Sequence, residues 1–268
     1  MSINKINGSV SDTLSKVNGA NDALLSNMLV SSVHNANTPL FDSYSVDFNG
    51  SSNYAEVDGA AGDINGAVGT ISAWVKLETT SAGCIVLRTQ VDGTTNNYIA
   101  MWYHASNNQM YMTHKGGGTS THAVISSGDT IENSGSVHHL VGTWSESADE
   151  VKIYLDSELK ATTNSLGTYS GTNSICDIGQ NTQSANFWNG LINEVGVWDA
   201  VLDADAITAI YNDGKNINLT RDVGSYDNAG DLVGYWKFEE GTGTSVADSS
   251  TNSNTATLSH SSLFSTTT

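Results

Sequence analysis

Residues 187–199 read FWNGLINEVGVWD, and DADAITAIYNDGK begins three residues later at Asp203. The first stretch is dense in Trp, Phe, Leu, Ile and Val, as a strand hidden from water requires. The second opens on an Asp whose side chain can accept the first free N–H groups of a helix, and it runs to Gly214, which can stop one. The chain must therefore turn from buried strand to capped helix at one corner.

The rest of the sequence supplies partners for that strand. With 26 Gly, a single Pro and short runs of Val, Ile, Tyr and Trp, it reads as many strands joined by tight turns. Alternation of period two begins just after Pro39. Tyr44, Val46 and Phe48 share a face, a turn follows at Asn49-Gly50, and Tyr54 to Val57 returns. In 70–77 (TISAWVKL), Ile71, Ala73, Val75 and Leu77 point one way and Trp74 the other. Further strands are predicted at 84–88, 98–103, 110–114, 122–125, 137–144, 151–155 and 159–163. In 137–144, His138 and His139 fall on opposite faces, so at most one is buried.

The junction at 187–214 resembles the closing motif of laminin G-like jelly rolls in the concanavalin A-like lectin/glucanase superfamily, where aromatic-x-Gly-x-Ile-Asp/Asn-Glu-Val precedes a short helix ending near a Tyr. SVDFNGSSNYAEV (45–57) is similar to that family's opening strand pair and TISAWVKL to its second signature. VHHLVGTW (137–144) resembles a stretch of pentraxins, but Val141 stands where they carry a cysteine, so neither their disulfide nor their ligand chemistry carries over. LVGYWKFEEGTGTSVADSS (232–250) is similar to a motif that usually opens bacterial laminin G-like modules; here it comes late, and the expectation is that it fills the place an opening strand takes elsewhere. The resemblance implies an all-β, two-layer antiparallel jelly-roll sandwich over residues 44–268 with one short helix. It also implies a Ca²⁺ held by oxygen ligands, which by position nominates Asp47, Asn193 and Glu194, with Asn193 lacking the charge of the family's more usual Asp.

Residues 1–43 have a different character. Lys5-Ile6-Asn7-Gly8 recurs as Lys16-Val17-Asn18-Gly19, and Asn21 to Val30 could form one short helix. Alone, this arm buries too little to hold a shape. The repeat with its interspersed serines resembles N-terminal segments of virion structural proteins of tailed bacteriophages, marine ones above all. That resemblance implies a docking arm that orders on other virion proteins through Ile3, Ile6, Val10, Leu14 and Val17.

Chemistry-bearing motifs are sparse. The formal charge of −18, with only 10 scattered Lys and Arg, argues against a nucleic-acid partner, because a phosphate backbone is held by clustered cations. Glu56-Val57-Asp58 begins a glycosidase-like carboxylate pattern, but Gly59 to Gly62 supply no second glutamate. No Gly-x-Ser-x-Gly elbow, Walker loop or Cys-x-x-Cys pair occurs. The spacing of His104, His114 and His122 fits no standard zinc site. Cys84 and Cys176 lie in apolar runs and read as buried free thiols, one bridge between facing strands being the alternative. No signal-peptide core and no apolar run of membrane-spanning length is visible, which predicts synthesis in the cytoplasm and no membrane insertion.

Sugar recognition needs exposed rings beside amides and carboxylates. Trp188, at an expected strand edge, and Trp102 and Tyr103 are the candidates, with Tyr111 and the amides of Asn96, Asn97, Asn107 and Asn108 nearby. The sequence thus leads to a non-enzymatic virion component of a tailed phage, a capsid decoration or a fibre or adhesin. Its lectin-like domain would touch a cell-surface glycan, and it is expected to be a homo-oligomer. The alternative is a bacterial carbohydrate-binding module.

Overall fold

The computed structural model describes residues 44–266 apart from Thr79, Ser81, Thr130, Asn133 and residues 182–184. The arm, with its expected docking positions Ile3, Ile6, Val10, Leu14 and Val17 and the helix expected at 21–30, lies outside the described residues. The described strands are β1 (Tyr44–Asn49), β2 (Ala55–Glu56), β3 (Val68–Leu77), β4 (Cys84–Gln90), β5 (Tyr98–His104), β6 (Gln109–Gly116), β7 (Thr119–Val124) and β8 (His138–Ser145). They continue as β9 (Glu150–Leu155), β10 (Glu158–Asn164), β11 (Ile175–Ile178), β12 (Asn189–Trp198), β13 (Leu232–Trp236), β14 (Ser245–Val246), β15 (Ala256–Leu258) and β16 (Phe264–Thr266).

These strands form two antiparallel sheets. The first runs β10-β9-β8-β3-β12-β1-β16, with β13 also on β12; the second runs β14-β15-β2-β11-β4-β5-β6-β7. Alternation decides what lies between them. Val46, Phe48, Ile71, Ala73, Val75 and Ile192 from one sheet meet Leu87, Ile99, Met101, Tyr103, Met110 and Met112 from the other in one core. Contact between the layers is so close that a Cβ at Gly142 on β8 would come within 2.3 Å of the Met112 sulfur. Glycine is thus required at Gly142 for packing, not for a turn. Cys84 and Cys176 are fully buried and unbridged.

The first sheet is buried on both faces. Trp74, Val141, Tyr154 and Trp198 project away from the main core and need a cover of their own. The cover is the helix α2 (Ala204–Tyr211) and the segment after it, which contribute Ile207, Ile210, Leu219 and Tyr226 to a second core with Tyr235 of β13. Asp203 caps α2 as expected, its carboxylate accepting the Ala206 N–H at 2.8 Å, and Asn212 ends it in the left-handed conformation. A one-turn helix, α1 (Asp58–Ala61), is an addition to the single helix expected; the Asp58 carboxylate accepts the Cys176 N–H at 2.7 Å.

β12 is the organising strand. Its first half pairs with β1 and its second half with β13, so the late LVGYW motif continues the line of the opening strand. The changeover falls at a bulge between Asn193 and Gly196, where Glu194 has a φ of 51°. The expectation that 232–250 fills an opening strand's place is met in this way.

Candidate functional site

The second sheet turns its other face away from the core, and on β4 to β7 that face carries half-buried rings and cations. Along β5 the outward residues are Tyr98, Ala100, Trp102 and His104, which alternate with buried Ile99, Met101 and Tyr103. Tyr98 and Trp102 are four residues apart, a separation of about 13 Å in an extended strand. Between them stands only the methyl of Ala100, whose cross-strand neighbour on β6 is Thr113, also small. Tyr98, Trp102 and their neighbours therefore lean over Ala100 and Thr113, which are buried at 1% and 0% exposure, and form a ring-lined surface, the shallow trough of the outer face.

One wall is aromatic throughout. Trp102 stacks on Tyr111 with ring centroids 4.7 Å apart, His104 lies 5.4 Å from Trp102, and His122 meets Tyr111 edge-on at 5.7 Å. The polar ends of these rings are fixed by their neighbours. Trp102 Nε1 donates to Thr113 Oγ1 at 2.8 Å, and the same hydroxyl lies 2.8 Å from His122 Nδ1. Burial holds the His122 imidazole below its usual range, so near neutral pH it stands uncharged, with a nitrogen able to accept. Tyr111 Oη bonds Gln109 Oε1 at 3.2 Å and accepts from Asn107 Nδ2 at 3.1 Å. Rings locked by such bonds present a flat surface without the entropy loss a floppy side chain would bring to binding.

The other wall carries charge. The Arg88 guanidinium lies 3.9 Å from the Tyr98 ring centroid and donates through Nε and Nη2 to Gln90 Oε1 at 3.2 and 2.9 Å. Lys115 reaches over the same ring at 5.5 Å. In register beside Arg88 is Asp177 of β11, and beside Asp177 is Glu56 of β2. Burial, with Asp58 and Glu56 adding to it, pushes the Asp177 carboxyl up to about 7, while Gln180 works against the shift. Glu56 and Asp177 were not legible as neighbours, being 121 residues apart in sequence.

Two of the three expected sugar-binding rings are elsewhere. Trp188 is fully buried, correcting its placement at an exposed edge: its Nε1 donates to Leu191 O at 3.2 Å, and its ring joins the main core where β1, β11 and β12 meet. Tyr103 is also fully buried, because alternation sends it inward when Trp102 points out; its hydroxyl donates to Glu132 Oε2 at 2.7 Å. Trp102 remains available, half-buried in the trough wall. Its companion Tyr98 is on the same strand, and Tyr111 and Arg88 come from the strands on either side.

The expected calcium ligands do not form a closed set. Asp47 is exposed opposite Leu191, on a polar cavity of about 430 Å³ lined also by Asn49, Asn53 and His260. Burial, then the Glu78 charge, holds its carboxyl above the usual carboxylate range. Glu194 is buried and accepts the Tyr235 hydroxyl. Asn193 is fully buried with neither amide atom hydrogen-bonded, and the Ser45 hydroxyl is likewise unbonded. Calcium takes six to eight converging oxygens, and these residues point to different surroundings. The ion enters no step below. His114 faces the core and bonds Gly66 O at 3.0 Å, whereas His104 and His122 are on the outer face, so the three histidines do not converge. Among the described residues no group of three or more His, Cys, Asp or Glu could hold a metal ion, and no helix is long and apolar enough to cross a membrane.

No curated protein matches the sequence. Among solved structures, a candidate carbohydrate-binding protein from Bacteroides ovatus ATCC 8483 superposes with a TM-score of 0.56 at 13% identity, over 85% of this chain and 61% of that one. The CBM40 of Ruminococcus gnavus IT-sialidase, bound to α2,3 sialyllactose, gives 0.52 at 16% identity over 63% and 96%. A heptameric SAP-like pentraxin from Limulus polyphemus gives 0.51 at 12% identity over 84% and 98%. At these identities the likeness is one of fold. In sequence, the laminin G-type profile of the concanavalin A-like lectin/glucanases superfamily matches residues 49–208, which span β2 to β12 and the first part of α2. The chain belongs to the concanavalin A-like lectin/glucanases superfamily.

Proposed function

We propose that this chain is a non-enzymatic glycan-binding protein whose site is the trough on β4 to β7. The observation that carries the reading is the cluster of half-buried rings on one outer face, Trp102 with Tyr111 and Tyr98 with Arg88. Sugar rings stack their C–H faces on such side chains, while fixed amide, hydroxyl and charged groups at the rim read the hydroxyls. Gln109, Lys115 and His122 are the partly exposed polar groups beside these rings. Further support comes from the sialyllactose-bound module of the same fold.

Removing the Trp102 ring is expected to weaken binding to whichever glycan the wild-type chain takes from a panel by tenfold or more, with little change in melting temperature, since Trp102 is half-buried at a surface. Isothermal titration beside a thermal melt checks this. Unchanged affinity would move the site away from the trough.

In its finer form the proposal sets this domain on a virion of a tailed phage, as capsid decoration or as fibre or adhesin, in several copies, with residues 1–43 as the docking arm. Its support is the Lys-Ile/Val-Asn-Gly repeat at 5–8 and 16–19. A chain lacking residues 1–43 is expected to fold and to be lost from density-purified particles, as peptide mass spectrometry would read. Retained incorporation would overturn the arm's role. Absence of the full-length chain from particles would favour a bacterial carbohydrate-binding module instead.

A further inference from the structure

The trough has one feature that a neutral sugar does not call for. The chain carries 28 acidic residues against 10 Lys and Arg, so a cation in it has many carboxylates to choose from. Lys152 and Lys160 take them, pairing with Glu150 at 2.6 Å and with Glu158 at 2.8 Å. Arg88 and Lys115, like Lys76, Lys215, Arg221 and Lys237, form no ion pair with any described residue; what sets them apart is that both converge on the one ring of Tyr98. Arg88 is half-buried, and its direct cross-strand neighbour Asp177 lies outside ion-pair range of it. Holding a desolvated cation without a counter-charge costs stability, which favours an anion that arrives from outside.

We propose that the trough binds an anionic sugar, and that the Arg88 guanidinium, with Lys115 beside it, receives the sugar's carboxylate. This deepens the glycan-binding reading and rests on it. Gln90 Oε1 and the Tyr98 ring hold the guanidinium plane in place, so its remaining N–H groups keep a fixed direction. A guanidinium fork matches the two oxygens of a carboxylate, whereas a lone ammonium supplies only a point charge. The sugar ring then lies against the side chains between Arg88 and Trp102, so one residue of the glycan spans from the charged wall to the aromatic one. Uronic acids and nonulosonic acids share this chemistry of a ring bearing a carboxylate.

The test uses the full chain and matched probes: 3′-sialyllactose against its methyl ester and lactose, an oligogalacturonate against its methyl ester, and a 3′-sulfated lactose. The expected result is that at least one acid binds tenfold or more tightly than its own ester. In Arg88→Gln acid and ester should bind alike, and in the wild-type chain added salt should weaken acid binding but not ester binding. Lys115→Gln, on the same ring and more weakly held, should reduce the preference in part; it serves as the reading if Arg88→Gln melts early. Equal binding of acid and ester, or preference for the sulfated probe alone, would overturn the carboxylate assignment and leave the lectin reading standing. No binding to any probe, nor to a broad glycan panel, would overturn both.

Discussion

Trp188→Ala is expected to lower the free energy of unfolding by about 3–5 kcal/mol, the range measured when a large aromatic side chain is cut from a packed core. Trp188 is fully buried among the largest side chains of the sandwich. It is fixed on several sides: its N–H donates to Gly179 O at 2.8 Å, its carbonyl accepts from Gly50 at 2.8 Å, and its Nε1 bonds Leu191 O. The ring thus closes one end of the core where three strands meet, and no neighbour can collapse into the space it leaves. For a domain of this size each kcal/mol corresponds to roughly 2–4 °C in Tm, so the melt should fall by about 6–20 °C. Calorimetry and a urea titration would both read it, and a Tm within a degree or two of wild type would contradict the burial. The contrast with Trp102 is diagnostic. Loss of the Trp102 ring should be felt in binding, and loss of the Trp188 ring in stability.

The second large effect is electrostatic. Asp177, only 4% exposed, keeps its proton up to about pH 7, whereas an Asp in the unfolded chain gives it up near 3.9. Between these values the folded state holds a proton that the unfolded state has lost. Its contribution is therefore complete below about pH 4 and is lost as pH rises through about 7. The displacement sets a ceiling of roughly 4 kcal/mol, and water entry and local relaxation bring the expected figure to about 1–3 kcal/mol. Asp177→Asn keeps the shape and cannot ionise. It should match wild type in urea unfolding at pH 4 and exceed it by that amount at pH 8; equal stability at both pH values would show that the carboxyl is ordinary. His139 acts in the opposite sense. It is enclosed by Trp74, Tyr211 and Ser72, and burial pushes its imidazole down to about 4, so its contribution is present above about pH 6.5 and is lost as pH falls through 4.

Features set by near neighbours in the chain are legible in the residues themselves. Period-two alternation marks out the strand set and sends Trp74 and Ala73 to opposite faces, as the structure has them. Asp203 as a helix cap and the separation of His138 from His139 follow from bonds and directions that span at most four residues. The thiols of Cys84 and Cys176 can be read as buried from the apolar runs around them. Even the identity of the sheet's central strand is visible, because a strand covered on both faces must be apolar along its whole length.

What those local rules cannot supply is which distant segments meet. Alternation says that Trp188 sits near a strand end, but only closure of the sandwich decides whether that end is rim or plug, and here Gly50 and Gly179 close over it. The same limit hides the trough. Trp102 and Tyr98 are ordinary strand residues in sequence and become part of one ring-lined face only when β6 brings Tyr111 beside Trp102 and β4 brings Arg88 over the Tyr98 ring. The proton on Asp177 depends on burial and on Glu56 as a cross-strand neighbour, and thus on register between strands far apart in the chain. The sequence by itself determined the strands, their inward and outward faces and the capped corner, since these are energies of neighbouring residues. The tertiary structure decided which rings reach water and which charges lack a partner, since burial and desolvation exist only once the sheets have closed.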